Sequence, residues 1–428
     1  ARILQALGRR PDAAPAPVVA VVMPKGWQQV AGVLAVLAAG AVVLPLDADL
    51  PAARLAWMLG DAGADLVLVR AQGPAGLADP ADPGLPQLVV EDRLTHSDAG
   101  TDWPVRPHDG LACIIYTSGS SGEPKGARIG EPGLVNAIDY TLQRFGIDHQ
   151  ARLLALTPLH HDMACFDLFG ALSVGAAIVM PEPAGARDPG HWLQLMRSHG
   201  VSVWNSVPAM LEMLLSHARA DEALVRQACT RLATVFLGGD WIALTLPARL
   251  RQLSPAVQVV SVGGPTETTL WNVMHAVEGV APHWRSIPYG RPIANTRYHV
   301  LDALLEERPD GVVGEMHVCG VGVARGYVGD PARSAAAFLR HPRTGEPMYR
   351  TGDLGRYGAD GTLEFMGRRD RQVKISGVRI EPAEVEAALL RHPGVAVAAV
   401  VIAGEGARRQ LAAAWVAHAG LAPQAEAL

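Results

Sequence analysis

Short apolar runs alternate along the chain with stretches in which apolar residues return every three or four positions, up to about residue 270. The pattern predicts a strand over 18–23, a helix over 27–39, a strand over 41–46, a short helix over 55–61 and a strand over 66–69. Strands that take turns with helices are joined by crossovers, so the expected architecture is α/β with largely parallel sheets. Residues 71–109 are dense in Pro, Gly and Asp and read as a loop region ahead of a strand over 111–116. A second series from 153 to about 270, with strands over 176–180, 201–205 and 259–262, forms a second sheet lobe. From about residue 290 short strands and Gly/Asp turns take over, such as Ala359-Asp360-Gly361 between Tyr357 and Leu363, which predicts a mostly β lobe. A boundary falls at 369–372. Beyond it come a strand, Gly377 and a helix over 382–390 whose Val385 and Leu389 face one core together with Ile380. There is no internal repeat and no heptad pattern.

Composition narrows the function classes. A chain of 428 residues is too long for one compact core and suits a large lobed domain plus a smaller one. Apolar residues make up 49% and aromatic ones only 5%, so burial rests on Ala, Val and Leu. A net charge of −5 with scattered arginines gives no basic stripe, which argues against nucleic acid as a partner. Cys113, Cys165, Cys229 and Cys319 have neither CxxC spacing nor disulfide-scaffold density, so reduced thiols and a cytoplasmic location are expected. No apolar run reaches the roughly 18–20 residues that span a bilayer, so no membrane association is expected. The N-terminus shows no cleavable signal pattern and begins in what reads as mid-helix.

The sharpest chemical signal is Tyr116-Thr117-Ser118-Gly119-Ser120-Ser121-Gly122-Glu123-Pro124-Lys125-Gly126, directly after the apolar strand. Glycines and hydroxyl residues offer backbone N–H groups and hydroxyls to phosphate oxygens, and Lys125 adds charge. GK[ST] is absent, so this is not the loop of mononucleotide kinases or GTPases. Gly320, Gly322 and Gly326 lack the dinucleotide-binding spacing and read as structural.

With three further motifs in matching order, these residues resemble the adenylate-forming superfamily, over essentially the whole chain. Gly263-Gly264-Pro265-Thr266-Glu267-Thr268-Thr269 resembles its nucleotide loop, which implies Glu267 for Mg²⁺ and the threonine hydroxyls for AMP. One carboxylate with phosphate oxygens is how Mg²⁺ is commonly held. Tyr349-Arg350-Thr351-Gly352-Asp353 resembles the motif whose aspartate accepts from the ribose hydroxyls. Gly367-Arg368-Arg369-Asp370 is similar to the element that supplies a ribose-contacting arginine, Arg368, and the hinge, Asp370; Phe365 joins the nucleotide contacts. A lone Gly-Asp turn or glutamate carries no signal; the order of four does.

The resemblance implies a large domain of two α/β sheet lobes and a β lobe over 1–369, and the start of a small α+β subdomain over 370–428, both incomplete. It implies attack of a substrate carboxylate on the α-phosphorus of ATP, with Lys125, Glu267, Asp353 and Arg368 positioning and neutralising charge, then subdomain rotation about Asp370. The family's catalytic lysine lies near the end of the small subdomain, and no lysine follows Lys374, so this segment alone is expected to bind nucleotide and adenylate poorly.

Asp162, in Leu159-His160-His161-Asp162-Met163-Ala164-Cys165-Phe166-Asp167, resembles the aspartate that pairs with a substrate α-ammonium in the nonribosomal peptide synthetase branch. His161 stands where the family usually has another aromatic residue, and Asp167 is the competing, more structural carboxylate. The implied pocket is Asp162, Met163, Phe166, Asn205, Phe236, Gly238, Val262, Leu270 and Trp271. It resembles the cysteine- and serine-activating branch beside heterocyclisation domains. Gly238 stands where serine is usual, which opens about a methyl of room for an α-methylated analogue unless Met163 and Phe236 fill it, and glycine-activating pockets also carry a small residue there; one methylene discriminates by only ~1–3 kcal/mol. The implied partners are a small amino acid, a carrier domain bearing phosphopantetheine, and an adjacent heterocyclisation or condensation domain. A carboxylate:CoA ligase and a noncatalytic module of the same fold remain the alternatives.

Overall fold

The computed structural model describes residues 2–8, 16–70, 85–91, 110–118, 123–217, 221–282, 284, 286–370, 372–375, 378–404 and 409–418. Runs of Val and Leu buried on both faces form the central strands β1 (Val18–Val22) and β2 (Val42–Leu46), as central parallel strands require. With β3 (Leu66–Arg70), β4 (Gln87–Val90), β5 (Leu111–Thr117) and β6 (Lys125–Gly130) they make a six-stranded sheet in the order β4-β3-β1-β2-β5-β6. Strand β4 corrects the expected loop over 71–109. It pairs in parallel with β3, Val67 opposite Gln87, as a four-residue, partly exposed edge whose short apolar content was outweighed by the surrounding Pro, Gly and Asp. The helix expected over 55–61 begins earlier, at Ala52, after Pro51.

The second sheet contains seven strands: β7 (Arg152–Ala155), β8 (Ala177–Val179), β9 (Val203–Ser206), β10 (Thr234–Leu237), β11 (Gln258–Gly263), β12 (Val273–Ala276) and β13 (Arg291–Pro292). Their order is β13-β12-β11-β10-β9-β7-β8, parallel from β11 through β8. The helix Glu131–Phe145 links the two sheets and ends on Gly146 in the left-handed region at φ 62°, where a glycine closes a helix without strain.

The third sheet is antiparallel, as expected: β14 (Thr296–Leu301), β15 (Gly314–Gly320), β16 (Phe338–Arg340), β17 (Pro347–Tyr357) and β18 (Leu363–Arg368). β17 is longer than the expected short strands, at 11 residues, and a bulge at Leu354/Gly355 re-aims its ladder beside Asp353. A hairpin of β19 (Val373–Ile375) and β20 (Val378–Ile380), the helix Pro382–Leu390 and a second hairpin of β21 (Val395–Ala403) and β22 (Gln410–Ala417) follow. Gly377 lies outside the described residues; in the helix Leu389 is buried while Val385 is half-buried. All four cysteines are buried and free. Among the described residues no helix is long and apolar enough to cross a membrane.

Candidate active site

The glycine- and serine-rich segment leaves the sheet at the end of β5 and returns as β6, with Thr117 opposite Lys125. Gly119, Ser120, Ser121 and Gly122 lie outside the described residues; Thr117 and Ser118 are half-buried. The Thr117 hydroxyl is buried without a hydrogen-bond partner among the described residues, an unspent polar group at the end of β5. Lys125 opens β6 and reaches Glu267 Oε1 at 2.8 Å and the Tyr327 hydroxyl at 3.0 Å. Glu267 is fully buried in the turn Thr266–Thr268, and the Tyr327 hydroxyl donates to its Oε1 at 2.9 Å. Burial and the Glu267 charge hold Tyr327 well above the usual phenol range, so it stays a donor. Tyr327 was not found by sequence reasoning; it meets Glu267 only through the fold.

Asp353 and Arg368 lie directly opposite on β17 and β18. The guanidinium hydrogen-bonds Asp353 Oδ1 and grips both carboxylate oxygens of Asp370 at 2.7 Å, joining the expected ribose acceptor to the expected hinge. Beside them is a cavity of about 260 Å³, walled by Gly263, Gly264, Asp353, Phe365 and Arg368. It is also walled by Trp241, Tyr289 and Lys374, three residues the sequence reading did not place in the site. Phe365 meets Trp241 edge-on at 5.0 Å and Tyr289 at 5.9 Å, so aromatic faces flank the Asp353 carboxylate. A side chain at Gly263 would run into the Tyr289 ring, and one at Gly264, at φ 147°, would lie 2.8 Å from Asn272 Oδ1. Gly263 leaves room for the ring, and Gly264 supplies a backbone conformation that L side chains rarely adopt. A Gly-Gly pair ahead of the threonines was the available signal for a bulky neighbour.

Of the nine expected pocket residues, Met163, Phe166, Phe236, Val262, Leu270 and Trp271 belong to one buried cluster. The Phe166, Phe236 and Trp271 rings pack on one another at 5.0–5.6 Å, and Asn205 Nδ2 donates to the Met163 carbonyl at 3.0 Å. Gly238 corrects one expectation. A Cβ there would meet Val262 Cγ2 and the Val262 carbonyl at 2.9 Å and Met163 Cε at 3.5 Å, so these neighbours take up the space left by glycine. Leu270 and its neighbour Thr269 have φ of 56° and 69°, a left-handed pair that is costly for a β-branched residue and turns the chain from Glu267 to Trp271.

Asp162 completes the wall. Burial pushes its carboxyl up to about 6, while hydrogen bonds from the Thr266 hydroxyl and the Met163 backbone and the charge of Lys374 act the other way. Burial, reinforced by His160, lowers His161 to about 4, so at neutral pH it is an uncharged ring in the aromatic position. One turn therefore serves two carboxylates: Thr266 bonds Asp162, and Glu267 bonds Lys125.

The family described as AMP-binding enzyme matches residues 1–328. Pyochelin synthetase PchE of Pseudomonas aeruginosa (strain UCBPP-PA14) is 44% identical over 413 residues, 96% of this chain and 28% of that protein. The chain thus spans under a third of the length of this curated relative. The nonribosomal peptide synthetase FmoA3, solved in its alpha-methyl-L-serine-AMP bound form, is 42% identical with a TM-score of 0.76, covering 83% of this chain and 39% of its own. PA1221, a nonribosomal peptide synthetase protein containing adenylation and PCP domains, is 29% identical with a TM-score of 0.82, covering 99% of this chain and 85% of its own.

Proposed function

This chain belongs to the AMP-binding enzyme family and has the α/β fold of solved adenylation domains, and from that premise we propose that it activates a small α-amino acid as its aminoacyl adenylate. A carboxylate oxygen of the amino acid attacks the α-phosphorus of ATP, the bond to the β-phosphate breaks, and pyrophosphate leaves. The carrier-bound phosphopantetheine thiol then attacks the acyl carbon, AMP leaves, and the thiol proton passes to solvent. The observation that carries this reading is the Thr266–Glu267 turn, which supports a carboxylate for an α-ammonium at Asp162 beside a carboxylate for the phosphate side at Glu267.

The chain's own groups have defined tasks. Lys125 leaves Glu267 for the phosphate oxygens, and the free Thr117 hydroxyl donates to one of them. Glu267, a hard oxygen donor already paired with a cation, fits Mg²⁺, which when bound neutralises phosphate charge. Asp353 accepts from the ribose hydroxyls while Arg368 holds its orientation, and Phe365, Tyr289 and Trp241 wall the base. We place the boundary between residues 1–369 and 370–428, with Asp370 at the hinge, where it is tied to Arg368 until the small subdomain turns.

Cysteine, serine and an α-methylated analogue are the substrates favoured by the Asn205 and Trp271 wall and by the adenylate carried in FmoA3. Admission of an α-methyl group at Gly238 requires the flexible Met163 tip to move, because Val262 closes the other side. PA1221 joins such a domain to a carrier domain, which supports a carrier partner here; a heterocyclisation or condensation neighbour is inferred from the resemblance of the pocket residues to the cysteine- and serine-activating branch. The test is substrate-dependent ATP–pyrophosphate exchange on the full-length protein with cysteine, serine, α-methylserine, glycine, an aryl acid and a fatty acid. Exchange with a small amino acid is expected. Exchange with the aryl or fatty acid alone would turn the reading into a carboxylate:CoA ligase, and no exchange into a noncatalytic module.

A further inference from the structure

The loop that carries Asp162 begins at the end of β7 and ends at the turn Phe166–Gly170. It is tied at both ends by side chains outside the expected catalytic set. Lys25, in the bend after β1, reaches from the first sheet to the second and donates to the Ala155 carbonyl at 2.6 Å and the Thr157 carbonyl at 2.5 Å. At the other end Asn205 donates to the Met163 carbonyl at 3.0 Å and to Asp167 Oδ1 at 2.9 Å. Both Asn205 donors thus lie on acceptors, which fixes the orientation of its amide. Asp167 and Asn205 are 2% and 1% exposed.

The two ties are coupled through charge. Burial lowers Lys25 to about 8 and raises Asp167 to about 7, and the opposite charge of each works against that burial. A buried lysine and aspartate are expensive to maintain where a methionine and a leucine would fill the space, and such pairs can be retained because they select one geometry. Here the geometry selected is that of the eight residues from Ala155 through Asp162 and the turn that follows, on which the place of the Asp162 carboxylate depends.

We propose that Lys25 and Asp167 are positioning residues for the amino-acid substrate: together they clamp the two ends of the Asp162 loop and hold that carboxylate, and the Asn205 amide, in register with the pocket. Neither is among the residues expected to contact nucleotide or substrate. The inference rests on Asp162 receiving the α-ammonium.

The test titrates amino acid and ATP separately in pyrophosphate exchange, for the full-length protein and for Lys25→Met, Lys25→Gln and Asp167→Asn, with ATP binding measured directly by calorimetry. Lys25→Met and Asp167→Asn are each expected to raise the amino-acid KM about tenfold while the ATP KM and Kd stay within about twofold. Lys25→Gln, which keeps two N–H donors for the loop carbonyls, is expected to recover most of that loss. Unchanged amino-acid KM in both disruptive variants would overturn the proposal. So would parallel loss of ATP binding, the mark of general unfolding, or equal damage from methionine and glutamine. A wild-type protein that exchanges only with acids lacking an ammonium would overturn the underlying reading instead, and the clamp with it.

Discussion

In the nucleotide corner the acids are already matched by bases: Lys125 on Glu267 at 2.8 Å, and Arg368 on both Asp353 and Asp370. The expected amino-acid pocket is different: its rings pack on one another, and the hydrogen bonds that Asp162 receives from Thr266 and Met163 do not offset the cost of burying its charge. On the proposed reading, the nucleotide would meet charge pairs that open and re-form on phosphate and ribose. On the same reading, the amino acid would bring an ammonium to a carboxylate whose burial the charge of Lys374 only partly offsets.

The contrast breaks most completely at Glu267. Glu267→Gln keeps the shape but removes the charge that faces Lys125, and exchange is expected to fall by about 100-fold or more, read as kcat/KM. Asp353→Ala removes the acceptor pair and one acceptor of Arg368, which Asp370 still holds, with a loss of about 30-fold or more expected, mainly as ATP KM. Near-normal rates in either variant would contradict the assigned roles.

On the amino-acid side the expected effect depends on pH. Because burial raises Asp162 to about 6, the carboxylate gains a proton as pH falls through that value, and the amino-acid KM should rise about tenfold per unit below it while the ATP KM moves little. The sign for stability is the reverse of the usual carboxylate case. Between the ordinary value of 3.8 and about 6 the folded protein holds a proton that the unfolded chain has lost. The penalty is fully present above about pH 6 and fades toward 4, so Asp162→Asn should raise stability at pH 8 by on the order of 2 kcal/mol and not at pH 4. Thermal melts at the two pH values check this.

Lys125→Ala should cost least in turnover, several-fold in ATP KM, since backbone donors of the loop remain. It leaves Glu267 buried with the Tyr327 hydroxyl, so ligand-free stability should fall by about 3 kcal/mol. An unchanged ATP dependence would remove Lys125 from the phosphate site.

Strands such as β1, β2 and β11 were legible because their apolar runs are buried on both faces. The edge strand β4 was not, because four half-exposed residues among prolines and glycines leave too little pattern. The motifs of Lys125, Glu267, Asp353 and Arg368 were legible as sequence patterns, and the fold places them at the start of β6, in the turn Thr266–Thr268, within β17 and at the end of β18. Tyr327, Tyr289 and Lys25 were not, since each acts on a partner brought near only by tertiary packing: Tyr327 on Glu267, Tyr289 over Gly263, Lys25 on the carbonyls of Ala155 and Thr157. Gly238 shows the opposite failure, in which a small residue suggested room that Val262 and Met163 occupy.

The most direct measurement compares pyrophosphate exchange for the preferred amino acid and its des-amino analogue, in the wild-type protein and in Asp162→Asn. The account expects the wild type to favour the amino acid by about 100-fold or more and the variant to lose most of that preference while keeping its ATP KM. A variant that keeps the full preference would contradict the assignment of Asp162 and, with it, the division of labour between the two carboxylates on that turn.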